Sequence, residues 1–388
     1  MNHDELMAWA GEMVGPLRQR AAETEQLRQL PVTTVGEAEA AGYFSMVVPE
    51  DAGGWGLGLR SLTQSTRALA HGCMSSAWTL SFLALHNWFV ARSPRELQDV
   101  LFAPRPCARI PCPLAPTGTA TPVDGGYQIS GRWQWATGVQ HADWVMVNCM
   151  VDRDGAPASM FCLAPIGDVE VEDVWHTSGM RGTGSNDVVA DGLFVPEHLT
   201  VDAADFRGDS PPGAQVRSDP FVTYPLTPVL ALVASAPAVG GAEAAVDLFR
   251  DYVKSRVLPY SLGDQQAEQP ASQVRLAEAR ATARAARLVW EDALEELCTV
   301  YDAGGQIDRA DRGRFRLATA HAVRLSLQAV NIAVEGAGAS VHFADSPLGR
   351  IHRDMTTLKG HVVYDWDRAA QLAGKLELGL EPVLTDML

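Results

Sequence analysis

Pro347-Leu-Gly-Arg350-Ile-His-Arg353-Asp354, followed seven residues later by His361, is the most informative stretch of this chain. Between Arg350 and Tyr364 the only carboxylate is Asp354, so the loop after it offers an imidazole where a second acid could have stood. Unperturbed imidazole titrates near neutrality, so it can take up a proton or bond to one without large tuning. Arg350 and Arg353 are cations suited to phosphate, or to an ion pair such as one with Asp354.

Two earlier segments carry further chemistry. Gly131-Arg-Trp-Gln-Trp135-Ala-Thr137-Gly138-Val-Gln-His141-Ala-Asp143-Trp144 places rings beside a hydroxyl and a glycine. Rings give face contact to a planar cofactor, and glycine permits close backbone approach. The bland alternative is a Trp-rich sheet packed on helices. Trp175-His-Thr-Ser178-Gly-Met-Arg181-Gly-Thr183-Gly-Ser185-Asn-Asp187 is richer in glycine and hydroxyls and can present donors to a polar edge or phosphate, or form a hairpin loop. It is no dinucleotide fingerprint, because Gly182-Thr-Gly184 is followed by Asp187 where a third glycine is needed.

The frame around these segments divides in three. Helical periodicity runs from residue 1 to about 110, with apolar positions three and four apart across Leu62 to Val90, interrupted by a tight loop at 49–54. Prolines and glycines take over from Pro111, and strands such as 127–130, 144–151 and 160–163 follow to about residue 195. After the Pro/Gly/Asp-rich stretch 205–220, helix returns to the end. Arg280, Arg284, Arg287 and Glu291 share a face that reads as solvated. The expected domains are 1–112 helical, 113–218 β and 219–388 a helical bundle of four long, alanine-rich helices.

Composition bounds the function. At 388 residues and 47% hydrophobic content the chain can bury a large core. A net charge of -16 argues against nucleic acid or an anionic membrane as partner. Six cysteines without a CxxC pair suit a reducing cytoplasm, and Cys107 and Cys112 alone make no zinc site, so no metal is expected. The N-terminus has no signal-peptide layout, and no apolar stretch is expected to approach the roughly 20 residues that span a bilayer. The protein is expected in the cytoplasm.

Taken in register, 131–144, 175–188 and 346–361 resemble the oxygenase components of two-component flavin-dependent monooxygenases with an acyl-CoA dehydrogenase fold. Residues 30–57 and 112–131 add supporting matches, so the resemblance spans nearly the whole chain. It implies an α+β, mainly α fold: N-terminal helices, a middle β-domain and a C-terminal four-helix bundle. It implies a separate flavin reductase, reduced FMN (FAD being the alternative), O2 and a small-molecule substrate, and a homotetramer. By the same resemblance a C4a-hydroperoxide hydroxylates an aromatic or polyketide-like molecule, or N-oxygenates an amine or amino sugar. Thr137 stands where the family commonly has a serine near the reactive flavin edge, keeping the donor and adding a methyl. His361 corresponds to the family's C-terminal histidine, and His86 resembles another pocket residue. These three are the candidate catalytic residues.

Trp135, Thr137, Gly138, Trp175, Ser178, Arg181, Thr183, Ser185, Arg256 and Arg350 are the candidate cofactor-binding residues. Arg256 resembles an arginine that reaches flavin phosphate, often across a subunit boundary. The competing reading is an acyl-CoA dehydrogenase or oxidase with bound FAD. It needs a carboxylate base, yet residues 226–242 contain none, and Glu243 is expected to face solvent or a partner helix. A third reading is a partner protein of this fold that only binds.

Overall fold

A computed structural model describes residues 1–153, 155–258, 261–383 and 386. The N-terminal layer is α1 (His3–Leu27), α2 (Val32–Ala40), α3 (Leu59–Ala70), α4 (Met74–Arg92) and α5 (Arg95–Phe102). In α1 the Asn2 side chain accepts from Glu5 N while Glu5 reaches back to Asn2 N, a capping box that fixes the start. Its buried residues Leu6, Ala10, Met13, Leu17, Ala21 and Thr24 recur every three or four positions, as a one-sided helix requires. Every residue of α4 is buried. Several of its polar side chains are satisfied by carbonyls: Thr79 donates to Ser75 O and Ser81 to Trp78 O, while Asn87 donates to Leu83 O and Ala108 O.

The middle layer comprises β1 (Gly118–Val123), β2 (Gly126–Ala136), β3 (Trp144–Arg153), β4 (Ala156–Pro165), β5 (Glu170–Glu172), β6 (Asn186–Pro196) and β7 (Thr200–Asp202). They form one sheet in the order β5-β6-β2-β1-β3-β4-β7. Among these strands only β1 and β3 pair in parallel. The short β7 and the helix α6 (Ala203–Arg207) extend this layer past the expected end near residue 195.

The C-terminal layer is α7 (Leu226–Ser255), α8 (Pro270–Asp302), α9 (Arg309–Ala337), α10 (Pro347–Leu358) and α11 (Trp366–Glu377). Three of these are long and two have only 12 residues each, so the expectation of four long helices is corrected. Gly338, at a left-handed φ of 72°, ends α9, and Pro347 restarts the helix as the short α10. Trp290 of α8 donates to Leu232 O near the start of α7, and Arg256 at the end of α7 donates to Ala337 O at the end of α9. Hence α8 runs antiparallel to α7 and α9 parallel to it.

Contrary to the sequence expectation, α7 is long and apolar enough to pass for a bilayer span, but that stretch is enclosed by its neighbours. The expected solvated face of α8 is partly seated: Arg280 pairs with Asp247 at 2.6 Å, and Arg287 lies 3.4 Å from Glu243, both on α7.

Candidate functional site

Trp78, Phe82 and His86 lie one helical turn apart on α4, and their rings form a continuous wall. Ring centroids are 4.6 Å apart for Trp78 and Phe82 and 5.6 Å for Phe82 and His86. His361 meets the same wall edge-on, 5.3 Å from Trp78, with Tyr364 at 5.6 Å on its other side. Trp78 Nε1 donates to Thr137 Oγ1 at 3.3 Å. One indole therefore joins Thr137 and His361, residues far apart in sequence.

Thr137 is placed by an irregular end of β2. The register of β2 against β6 slips between Trp133 and Ala136, and Trp135 adopts a left-handed φ of 69° that non-glycine residues rarely hold. The slip turns the Trp135 ring outward, 64% exposed, next to Thr137. Gly138 follows at φ 71°, where a Cβ would lie 2.9 Å from Thr79. An exposed ring on a strained backbone beside the hydroxyl of a half-buried threonine fits a planar heterocycle such as a flavin ring.

Behind Thr137 runs a row of hydroxyls. Thr137 Oγ1 is 2.9 Å from Ser185 Oγ, which is 2.8 Å from Thr183 Oγ1, which donates to Met180 O at 3.0 Å. Thr183 and Ser185 are 2% and 3% exposed. Both lie enclosed behind Thr137, which the slip in β2 puts in front of them.

The two histidines present opposite faces. Val363 N donates to His361 Nδ1 at 3.3 Å, so the neutral ring carries its proton on Nε2 and offers a donor there. His86 Nδ1 lies 2.5 Å from Ile110 O, which can only accept, so that ring keeps a lone pair on Nε2. Burial pushes both imidazoles down to about 4. The expectation of imidazoles titrating near neutrality is corrected: the aromatic wall withholds water from the charged form.

The loop 173–185 is tied to α10 and α1. Gly179 allows it to touch α10, since a Cβ there would fall 2.1 Å from Arg353 O. Met180 N donates to Asp354 Oδ1 at 2.5 Å. Arg350 and Arg353 both bond Glu25 of α1, at 2.9 and 2.6 Å. Glu25 takes both guanidinium groups, so the expected pairing with Asp354 is replaced by one with Glu25. Burial pushes Glu25 up, and these two arginines overcome it, leaving its pKa lowered. Arg181 donates to Glu25 O and Thr177 O, holding the loop to the end of α1. Trp175 Nε1 donates to Met180 O at 2.9 Å, and Ser178 lies exposed on the loop.

Asp354 is fully enclosed, and burial raises its pKa to about 7, with Glu25 adding to the rise against the Met180 N–H and the arginines. A carboxyl whose folded pKa exceeds its unfolded value binds its proton more tightly when folded, so stability is lost as pH rises toward 7. Asp354→Asn keeps an acceptor for Met180 N and does not titrate. Its stability relative to the native chain is expected to grow by on the order of 2–4 kcal/mol between pH 4 and 7 and then stay level. Thermal melts of both proteins across that range check this, and a difference independent of pH refutes it.

Arg256 lies elsewhere. It donates to Ala337 O at one end of α9, whereas Arg316 near the other end donates to Val363 O beside His361. The 21 residues between put these ends about 30 Å apart at 1.5 Å per residue. Within one chain Arg256 does not join the cluster. Glu243 is packed against α3: it accepts from Arg67 at 2.9 Å and is 3.1 Å from His71, as the partner-helix alternative expects. Burial pushes it up, but His71, Arg67 and Arg287 prevail and hold it low. Sequence reasoning missed Trp78, Phe82 and Tyr364. The spacing 78, 82, 86 was the available signal for the first two.

Comparison with known proteins gives a consistent picture. Residues 3–98 match the acyl-CoA dehydrogenase N-terminal domain, and residues 232–366 the acyl-CoA dehydrogenase C-terminal domain. The chain is 31% identical over 381 residues to the flavin-dependent monooxygenase oxygenase subunit HsaA of Mycobacterium tuberculosis, covering 97% of this chain and 96% of that protein. It is 29% identical over 392 residues to the FADH(2)-dependent resorcinol hydroxylase oxygenase component of a Rhizobium species, covering 98% and 95%. The crystal structure of 3-HSA hydroxylase from Rhodococcus sp. RHA1 superposes with a TM-score of 0.93 at 30% identity over the full length of both chains.

Proposed function

The chain belongs to the oxygenase components of two-component flavin-dependent monooxygenases with the acyl-CoA dehydrogenase fold, and from that membership we propose that it hydroxylates a phenolic aromatic molecule. The observation that carries this reading is the pair of neutral imidazoles on one aromatic wall, His361 offering Nε2–H and His86 a lone pair. A phenol is both donor and acceptor on a flat ring, and such a pair can engage either role while Trp78 and Phe82 meet the ring. The relative named for resorcinol supports the same class. With Glu243 held by Arg67 and His71, it is not free to abstract an α-proton from a thioester.

Bound reduced flavin supplies the two electrons with which O2 is split between product and water. The overall balance is R–H, O2 and reduced flavin giving R–OH, H2O and oxidised flavin. Trp135, Thr137 and Gly138 would hold the ring. His361 holds a proton at Nε2 toward the transferring oxygen, His86 orients the substrate hydroxyl, and the wall of α4 excludes water. The relative's FADH(2) dependence supports FAD over FMN as the working flavin, delivered by a separate reductase.

The remote position of Arg256 favours an assembly in which a second copy brings this arginine to the flavin phosphates. Exposed Val257, Leu262, Val274 and Phe343 flank the end of α7, the start of α8 and the end of α9, and suit burial against other copies in a homotetramer. The domain division 1–112, 113–218 and 219–388 and the cytoplasmic location remain part of this proposal.

The experiment is anaerobic loading with reduced FAD or reduced FMN, mixing with O2, and mass analysis of a panel of phenols, polycyclic aromatics and amines. The expected result is a nearly colourless protein as purified and gain of one oxygen atom by a phenol, more with FAD. Tightly bound yellow FAD that an acyl-CoA bleaches would overturn the reading.

A further inference from the structure

The direction of every hydrogen bond in the Thr137 row follows from its two ends. Met180 O can only accept, so Thr183 must donate to it. At 2.8 Å from Ser185, Thr183 then has only a lone pair to offer, so Ser185 donates to Thr183. By the same step Thr137 donates to Ser185 at 2.9 Å. At the other end Trp78 Nε1 can only donate, and it donates to Thr137. All three hydroxyl protons therefore point away from the aromatic wall, and Thr137 presents a lone pair.

We propose that Ser185 and Thr183 are positioning residues that make this site select reduced over oxidised flavin through the polarity of Thr137. The inference rests on the flavin reading above. A reduced isoalloxazine carries N5–H, a donor, whereas oxidised N5 carries a lone pair. With N5 set against Thr137, the row as it stands would accept from N5–H with no rearrangement. To donate to oxidised N5, Thr137 must reverse, and with it Ser185 and Thr183. The reversed row loses the bond from Thr183 to Met180 O, while Trp175 Nε1 and Thr183 N continue to satisfy that carbonyl. The difference is about one net hydrogen bond, worth roughly fivefold in relative affinity.

The test is equilibrium titration of oxidised and chemically reduced FAD under anaerobic conditions, which requires no turnover. Ser185→Ala removes the acceptor for the Thr137 proton, and Thr183→Val removes the one for Ser185. Both are expected to narrow the ratio of oxidised to reduced dissociation constants by roughly fivefold, chiefly by tightening oxidised FAD. Thr183→Ser keeps the row and the native ratio. An unchanged ratio in both folded variants, including one where both affinities fall together, overturns the inference alone. Failure of the native protein to bind either form overturns the flavin reading itself.

Discussion

His361→Ala is expected to lower product formation by roughly 100- to 1,000-fold, the usual loss when a preorganised donor is removed from a reacting oxygen. Flavin reoxidation should continue, with hydrogen peroxide taking the place of product. The reason lies in the ring's fixed tautomer: Val363 N occupies Nδ1, so the proton sits on Nε2 whenever the ring is neutral. Its pKa, pushed to about 4 by burial, keeps it neutral throughout the ordinary working range. A depressed imidazole pKa favours the folded state above the unfolded value near 6.5, and that contribution is lost as pH falls toward 4. The pH profile of product yield should accordingly show no inflection from this group between 6 and 8. His361→Gln retains an N–H and should recover part of the coupling. Product and peroxide are measured together in single-turnover reactions, and an undiminished product yield in the alanine variant removes His361 from its role.

The same residue shows what the chain could and could not disclose. Its distance from Arg353 and the missing acid were visible in one short segment, and the layer order was visible because helical periodicity gives way to prolines near residue 111 and returns after residue 220. Partnerships across hundreds of positions were not. Arg350 reads as a phosphate ligand until Glu25, 325 residues earlier, is seen to bond it. Nothing local announces that Trp135 takes a left-handed turn and sets Thr137 in front of Thr183 and Ser185. The α4 rings were hidden for a different reason. A helix buried on every side has no polar face to mark its orientation, so only the spacing 78, 82, 86 marked the wall.

Arg92→Met is expected to cost about 3–5 kcal/mol of stability, as when one partner of a buried charged network is removed. Arg92 closes α4 with no exposed surface and donates five hydrogen bonds to carbonyls of the segment between sheet and bundle. Nε and Nη2 reach Phe206 O at 3.2 and 2.8 Å, Nη2 also reaches Gly208 O at 3.0 Å, and Nη1 reaches Val222 O and Tyr224 O at 2.7 and 2.8 Å. Burial lowers its pKa only to about 10, so the charge persists at neutral pH, held by carbonyl dipoles and the Trp88 face 4.9 Å away. Methionine fills much of the volume but leaves those carbonyls without donors, each a desolvation cost of about 1–3 kcal/mol before relaxation. Lysine has too few donors, on a point charge instead of a fork, and should recover little. A melting temperature lower by roughly 4–6 °C is the expected reading, with earlier proteolysis within residues 206–224. A melt within about two degrees of the native protein sinks the argument. Because α4 also carries His86, Phe82 and Trp78, loosening its last turn should disturb His86 first and the Thr137 contact least, so coupling should fall before flavin affinity does.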